Sequence, residues 1–177
     1  MRRALTAVTA GAALLLSLVA CDAADEAAPG TICGTPVSPE LSDPLLKPYG
    51  KITEASKVDR NEPQVSAPCV LTVDGERALS FRFSWHKGAP EDLLALSRES
   101  RIYGLAEPLR VDLGFEDSVV GNDGATATTL CRTRGGDHFT LRVQVERADK
   151  AKRDLRPAVE AFMRTYMAET LKTLNCS

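Results

Sequence analysis

The chain has 177 residues, of which 44% are hydrophobic, 26% charged and 5% aromatic, a balance that suits one globular domain and excludes a collagenous, low-complexity or multi-span membrane protein. Lys and Arg number 22 against 24 Asp and Glu, giving a formal charge of −2, so no excess of positive charge is available to neutralise a phosphate backbone. Nucleic acid is not an expected partner.

Met1-Arg2-Arg3 is a short basic start, followed by an uncharged, mostly apolar stretch from Ala4 to Ala20 that includes Leu14-Leu15-Leu16. The stretch is shorter than the roughly 20 residues a membrane-spanning helix needs, and its basic, apolar, small-residue order predicts an export signal over residues 1–20. Its end, Leu18-Val19-Ala20-Cys21, resembles the lipobox of bacterial lipoproteins at all four positions. The resemblance implies cleavage after Ala20, a diacylglyceryl group on the Cys21 thiol and anchoring at the extracytoplasmic face of the cell membrane. An ordinary signal peptide ending in a chance cysteine is the alternative. One acyl chain holds a protein only marginally, whereas two or more anchor it stably.

Without residues 1–20 the chain keeps 20 basic and 24 acidic residues, a charge of −4. Residues 21–31 have no apolar periodicity and are predicted to be a flexible tether reaching at most about 35 Å. Residues 32–177 then form one disulfide-bonded domain. Four cysteines remain there, Cys33, Cys69, Cys131 and Cys176, an even number in an exported chain, and this predicts two disulfides. No Cys-x-x-Cys occurs, so neither zinc ligation nor thioredoxin-like redox chemistry is indicated.

Pro36, Pro39, Pro44 and Pro48 predict an irregular segment after Cys33, with a short helical turn near Leu45-Leu46. Cys69–Val73 and Leu79–Trp85 alternate apolar and polar residues about Asp74-Gly75, which predicts a hairpin carrying Phe81, Phe83 and Trp85 on the face of Leu71 and Val73. Pro90-Glu91-Asp92 opens a short helix to about Ser100, with Leu93, Leu94 and Leu96 expected toward the core. Further strands are predicted at Leu109–Phe115, Ala125–Thr133 and Phe139–Val145.

The period then changes. Leu155, Val159, Phe162, Tyr166, Thr170 and Leu174 fall three or four apart, with Met163 and Leu171 beside them, and define one face of a long C-terminal helix with Asp154 as N-cap. The pattern predicts an α+β domain of two layers, a mainly antiparallel sheet of about five strands with the C-terminal helix packed on one face and the helices on one side. That helix returns Cys176 toward Cys131, which favours the pairing Cys33–Cys69 and Cys131–Cys176. A Gly135-Gly136 turn, however, places Leu130 rather than Cys131 on the Leu141 face, so a nested Cys33–Cys176 pairing stays open.

Candidate chemistry is sparse. Neither a nucleophile elbow, a zinc-binding His pair, a phosphate loop nor a dinucleotide fingerprint occurs, and no catalytic residue, metal ligand or cofactor is assigned. His86, beside Trp85 and before Gly88, is a candidate pocket residue, but a polar residue on a solvated strand end is the commoner explanation for it and for His138. Phe81, Phe83 and Trp85 are expected to be core beneath the C-terminal helix rather than a ligand platform, and Trp85 with His86 is the candidate ligand site if that face is open. Asp112, Glu116 and Asp117 near Asn122-Asp123 lack the spacing of a calcium loop, and Lys150, Lys152, Arg153 and Arg156 alternate with acids as a solvated face does.

With Cys33 ahead of Leu45-Leu46 and Gly50, Cys69 opening a strand and an amphipathic C-terminal helix, the chain resembles small actinobacterial extracytoplasmic lipoproteins of unassigned activity. Its 15 Arg against 7 Lys and its 23 Ala resemble the same group. The expectation is a non-enzymatic, membrane-tethered binding or accessory module of the cell envelope, whose partner is an envelope protein or a small molecule. A cell-envelope hydrolase with a site assembled only in three dimensions is the alternative.

Overall fold

The structure, a computed structural model, describes residues 28–47, 50–60, 65–88, 92–99, 104–146 and 154–176. The expected export signal, Cys21 and most of the tether lie outside the described residues, as do Pro90, Glu91, Lys150, Lys152 and Arg153.

The chain after Cys33 is more ordered than its prolines suggest. Strands β1 (Thr31–Ile32) and β2 (Thr35–Pro36) form a small hairpin turning at Cys33-Gly34, both with positive φ, and α1 (Pro39–Leu46) buries Leu45 and Leu46 despite Pro44 within it. Strands β3 (Ile52–Ser56), β4 (Ser66–Val73) and β5 (Glu76–His86) follow, then α2 (Leu93–Glu99), β6 (Leu109–Arg110), β7 (Asp117–Val120), β8 (Gly124–Thr133), β9 (Gly136–Val145) and α3 (Arg156–Thr173). The large sheet is antiparallel throughout, in the order β3-β4-β5-β9-β8-β7-β6.

Seven strands replace the expected five. Edge strand β3 has only Ile52 partly buried, so it carries no alternating pattern to read. The segment predicted as one strand from Leu109 to Phe115 pairs only at Leu109 and Arg110 and then turns at Gly114 (φ +85°), whose amide donates to Asp112 Oδ1 at 2.8 Å. The Asp74-Gly75 hairpin forms as expected, with φ of 53° and 82° as a tight two-residue turn requires.

One face of the sheet is sealed. Leu71 and Val73 of β4, Phe81, Phe83 and Trp85 of β5, Phe139, Leu141 and Val143 of β9, and Ala125 and Ala127 of β8 lie beneath α1 and α3. Helix α3 supplies Val159, Phe162, Met163, Tyr166, Met167 and Thr170, the predicted stripe with Met167 added. Phe81 meets Tyr166 and Phe162 at centroid separations of 5.1 and 6.2 Å, and Phe83, Trp85 and Phe139 form a second aromatic group. Trp85, fully buried there, is core rather than ligand platform. The N-cap of α3 is Leu155 rather than the expected Asp154, which sits one residue further out and accepts the Arg156 amide through Oδ1 at 3.0 Å.

Both disulfides tie this covering layer to the sheet. Cys33–Cys69 joins the β1–β2 hairpin to β4 with Cα atoms 6.0 Å apart, and Cys131–Cys176 joins the end of α3 to β8 at 4.8 Å, so the nested pairing is excluded. The register objection fails for an identifiable reason. The turn centres on Arg134-Gly135, pairing Thr133 with Gly136, and a bulge between Leu130 and Thr133 turns Cys131 inward and leaves Leu130 62% exposed.

The helices do not all lie on one side. Helix α2 packs against the opposite face, where Leu93 forms a small cluster with Leu105 and Val119. Asp92 Oδ1 caps it, accepting the amides of Leu94 and Ala95. Leu96, expected in the core, is 37% exposed.

Candidate functional site

The face opposite the main core is built from the polar phase of the same strands. Because β5 and β9 pair residue for residue, Ser80 lies opposite Gln144, Arg82 opposite Arg142, Ser84 opposite Thr140 and His86 opposite His138. β8 adds Thr126 and Thr128, and β4 adds Ser66, Pro68 and Val70. Helix α2 covers only part of this face, leaving two recesses.

The larger is a polar cleft of about 450 Å³ over β4, β5 and β9. Arg77, Arg82, Arg142 and Glu146 line it, with Ser80 and Gln144 between them. Arg82 Nη1 donates to Ser66 Oγ at 2.9 Å, Arg142 Nη2 donates to the Gly104 carbonyl at 3.1 Å and also to Gln144 Oε1, and Ser80 Oγ donates to Glu146 Oε1 at 2.8 Å. The smaller recess, about 210 Å³, is apolar, with Leu93 and Leu96 of α2 facing Ser84, His86, Thr126 and Thr140.

His86 therefore reaches a pocket, as its position before Gly88 suggested, but Trp85 does not join it. Adjacent strand residues point to opposite faces, so the expected Trp85–His86 pair is split by the sheet itself. His86 instead stacks on His138 at 5.9 Å. Its Nδ1 lies 2.7 Å from the Gly88 carbonyl and its Nε2 2.8 Å from Thr140 Oγ1, which contacts Thr128 Oγ1 at 3.0 Å, and Thr128 lies 3.2 Å from the Phe139 carbonyl. The Thr140 hydroxyl donates to Thr128 Oγ1 and the Thr128 hydroxyl donates to the Phe139 carbonyl, a hydrogen-bonded row that ends on the strand backbone.

His138 is buried, not a solvated strand end. Its Nδ1 lies 2.9 Å from Asp137 Oδ1 and its Nε2 3.3 Å from Glu116 Oε2, so both ring nitrogens face carboxylates. The hydrogen bond from His138 and the Gly88 amide, 2.6 Å away, hold the Asp137 carboxyl below the usual carboxylate range. Gly136 is required beside this pair, since a Cβ there would overlap the His86 backbone.

The other candidates resolve into structural roles. The acidic group disperses, with Asp112 in the Gly114 turn, Asp117 paired with Arg110 at 3.1 Å and Glu116 on His138. Asp123 is buried and accepts the Ala106 amide and the Gln144 amide group at 2.7 and 2.9 Å. Arg156 of the basic cluster donates to the Val120 and Glu107 carbonyls, both at 2.7 Å. Ligand atoms of Cys33, Glu54 and Cys69 lie within 4.8 Å of one another, but the sulfurs are bonded together and Glu54 Oε2 accepts the Cys33 amide, so this cluster is a clasp and not a metal centre. Under the β1–β2 hairpin, Arg60 donates to the Cys33 carbonyl and Thr35 Oγ1 and lies 5.6 Å from the Phe83 ring centroid, while Tyr166 donates to the Ile32 carbonyl at 2.9 Å. Burial pushes the Tyr166 hydroxyl well above the ordinary tyrosine range and lowers the Arg60 guanidinium.

Sequence reading missed Arg77, Arg82, Arg142 and Thr140. Arg82, Thr140 and Arg142 occupy the polar phase of alternating strands, and only the strand register shows that they converge.

Compared with known proteins, the chain matches no family model, no curated protein and no solved structure at significant similarity.

Proposed function

We propose that this chain is a membrane-anchored extracytoplasmic lipoprotein whose domain acts as a non-enzymatic binding or accessory module of the cell envelope, presenting the polar face of its sheet to a ligand. The carrying observation is the asymmetry of that sheet, whose core face is sealed and twice cross-linked while the opposite face keeps an open cleft of about 450 Å³. The anchor rests on Leu18-Val19-Ala20-Cys21, and the two disulfides suit an oxidising extracytoplasmic compartment. Labelled palmitate should enter the wild-type protein and not Cys21→Ala, which should also leave the membrane fraction; equal labelling of both refutes the anchor.

A second reading, an envelope hydrolase, is favoured by one contact, the 2.8 Å between His86 Nε2 and Thr140 Oγ1, the separation of a base and a hydroxyl nucleophile. An esterase or peptidase activity of the purified chain abolished by Thr140→Val would establish it.

A further inference from the structure

We infer that the polar cleft holds an oxyanion, a phosphate or carboxylate group, between Arg77 and Arg82, with Arg142 behind them. The inference names the ligand chemistry of the proposed binding face and rests on that reading.

Charge is the first ground. The chain as a whole is acidic, at −2, yet its polar cleft is lined by three arginines against one glutamate. Such a recess concentrates an attractive potential for anions that the rest of the surface opposes.

Register is the second. Arg82 and Arg142 are direct cross-strand partners, and like charges directly opposite one another destabilise a sheet. By contrast Arg110 is paired with Asp92 and Asp117 at 2.7 and 3.1 Å, and Arg164 with Glu160 at 3.1 Å. Among the described residues neither Arg77 nor Arg82 has a carboxylate at ion-pair distance. Ser66 holds Arg82 through one Nη, and the Gly104 carbonyl orients Arg142, so these half-buried guanidinium planes are fixed before any ligand arrives. A fixed guanidinium fork matches the paired oxygens of a carboxylate or phosphate.

Glu146 is the opposing element. It lines the same cleft and is occupied by the Ser80 hydroxyl, so it repels an anion and sets an upper limit on affinity. Removing its charge should strengthen binding, a sign that generalised damage to the fold would not produce.

The test uses the full chain purified in a nonionic detergent and titrated with inorganic phosphate or acetate, with chloride holding the ionic strength constant. Saturable amide NMR shifts at Ser80 and Arg82 are expected. The double substitution Arg77→Gln/Arg82→Gln should weaken the response by about tenfold or more, the Lys double variant should recover part of it, and Glu146→Gln should tighten it. Competition with phosphatidylglycerol against phosphatidylcholine in the micelles separates the two sources. Displacement by phosphatidylglycerol alone assigns the site to a lipid headgroup, and no displacement assigns it to a free anion. A phosphate response that never saturates, or that is unchanged in the double Gln variant, overturns the proposal. Palmitate labelling does not involve these arginines, so failure of the anchor and failure of the site are read separately.

Discussion

The two faces of the central sheet are made by the same residues of the same strands, taken alternately. Along β5, Phe81, Phe83 and Trp85 are fully or almost fully buried in the layer covered by α1 and α3, whereas Ser80, Arg82, Ser84 and His86 are only partly buried on the other side. The covered face is apolar, aromatic and fastened at two points by disulfides that join covering elements to sheet strands. The other face has one short helix over part of it and keeps hydroxyls, guanidiniums and imidazoles in hydrogen-bonded rows. The lesson is a division of labour by parity, in which stability sits on one phase of the strand and recognition on the other.

That division can be broken by neighbouring substitutions. Phe83→Ala should cost about 3 to 5 kcal/mol in chemical denaturation, the range for a buried phenylalanine, while Arg82→Gln should shift stability by no more than about 0.5 kcal/mol. Comparable losses at both positions would mean that the polar face is structural too. Replacing Cys131 and Cys176 together by serine should cost about 2 to 5 kcal/mol, because the closed loop of 45 residues is released in the unfolded chain. It should leave the phosphate-induced shifts at Ser80 intact, and their loss would show that the two faces are coupled.

A smaller effect is expected where α2 meets the open face. Asp92→Ala removes the oxygen that caps Leu94 and Ala95 and should lower the thermal midpoint, by less than loss of the Cys131–Cys176 bond does. The smallest concerns acid. The folded pKa of Asp137 is depressed, so its contribution is present above the unfolded carboxylate value of about 3.9 and is lost as pH falls through the lower folded value. Asp137→Asn should therefore lower stability at neutral pH and flatten the acid limb below about pH 4, so that variant and wild type converge at the acid end. An unchanged acid limb would remove Asp137 from the His86–His138 group.

Much of the covered side was legible beforehand because its signals are local. Alternation across Asp74-Gly75 located β4 and β5, and spacings of three and four located α3. The order of β3, β6 and β7 was not legible, since two-residue pairings and exposed edges carry no periodicity. Leu96 misled for a related reason. An apolar residue in a short helix reads as core, yet α2 packs on the polar face and leaves Leu96 at the rim of a small recess.

The disulfides show where local reading stops. Even cysteine number and the return of α3 pointed to Cys131–Cys176, while the turn pattern pointed away from it, and one bulge between Leu130 and Thr133 decided the matter. A single inserted residue reverses the parity of a strand end, and nothing in the sequence of Leu130-Cys131-Arg132 announces it.

By itself the sequence determined an α+β class, the identity of the main core residues and the helix that covers them, because hydrophobic periodicity is written residue by residue. Only the tertiary structure decided which polar residues meet. Arg82 and Arg142 are 60 positions apart and His86 and His138 are 52, and each pair became neighbours through strand order and register. Binding sites on a sheet face depend on that non-local alignment, while burial depends chiefly on a residue's own polarity and the phase of its element.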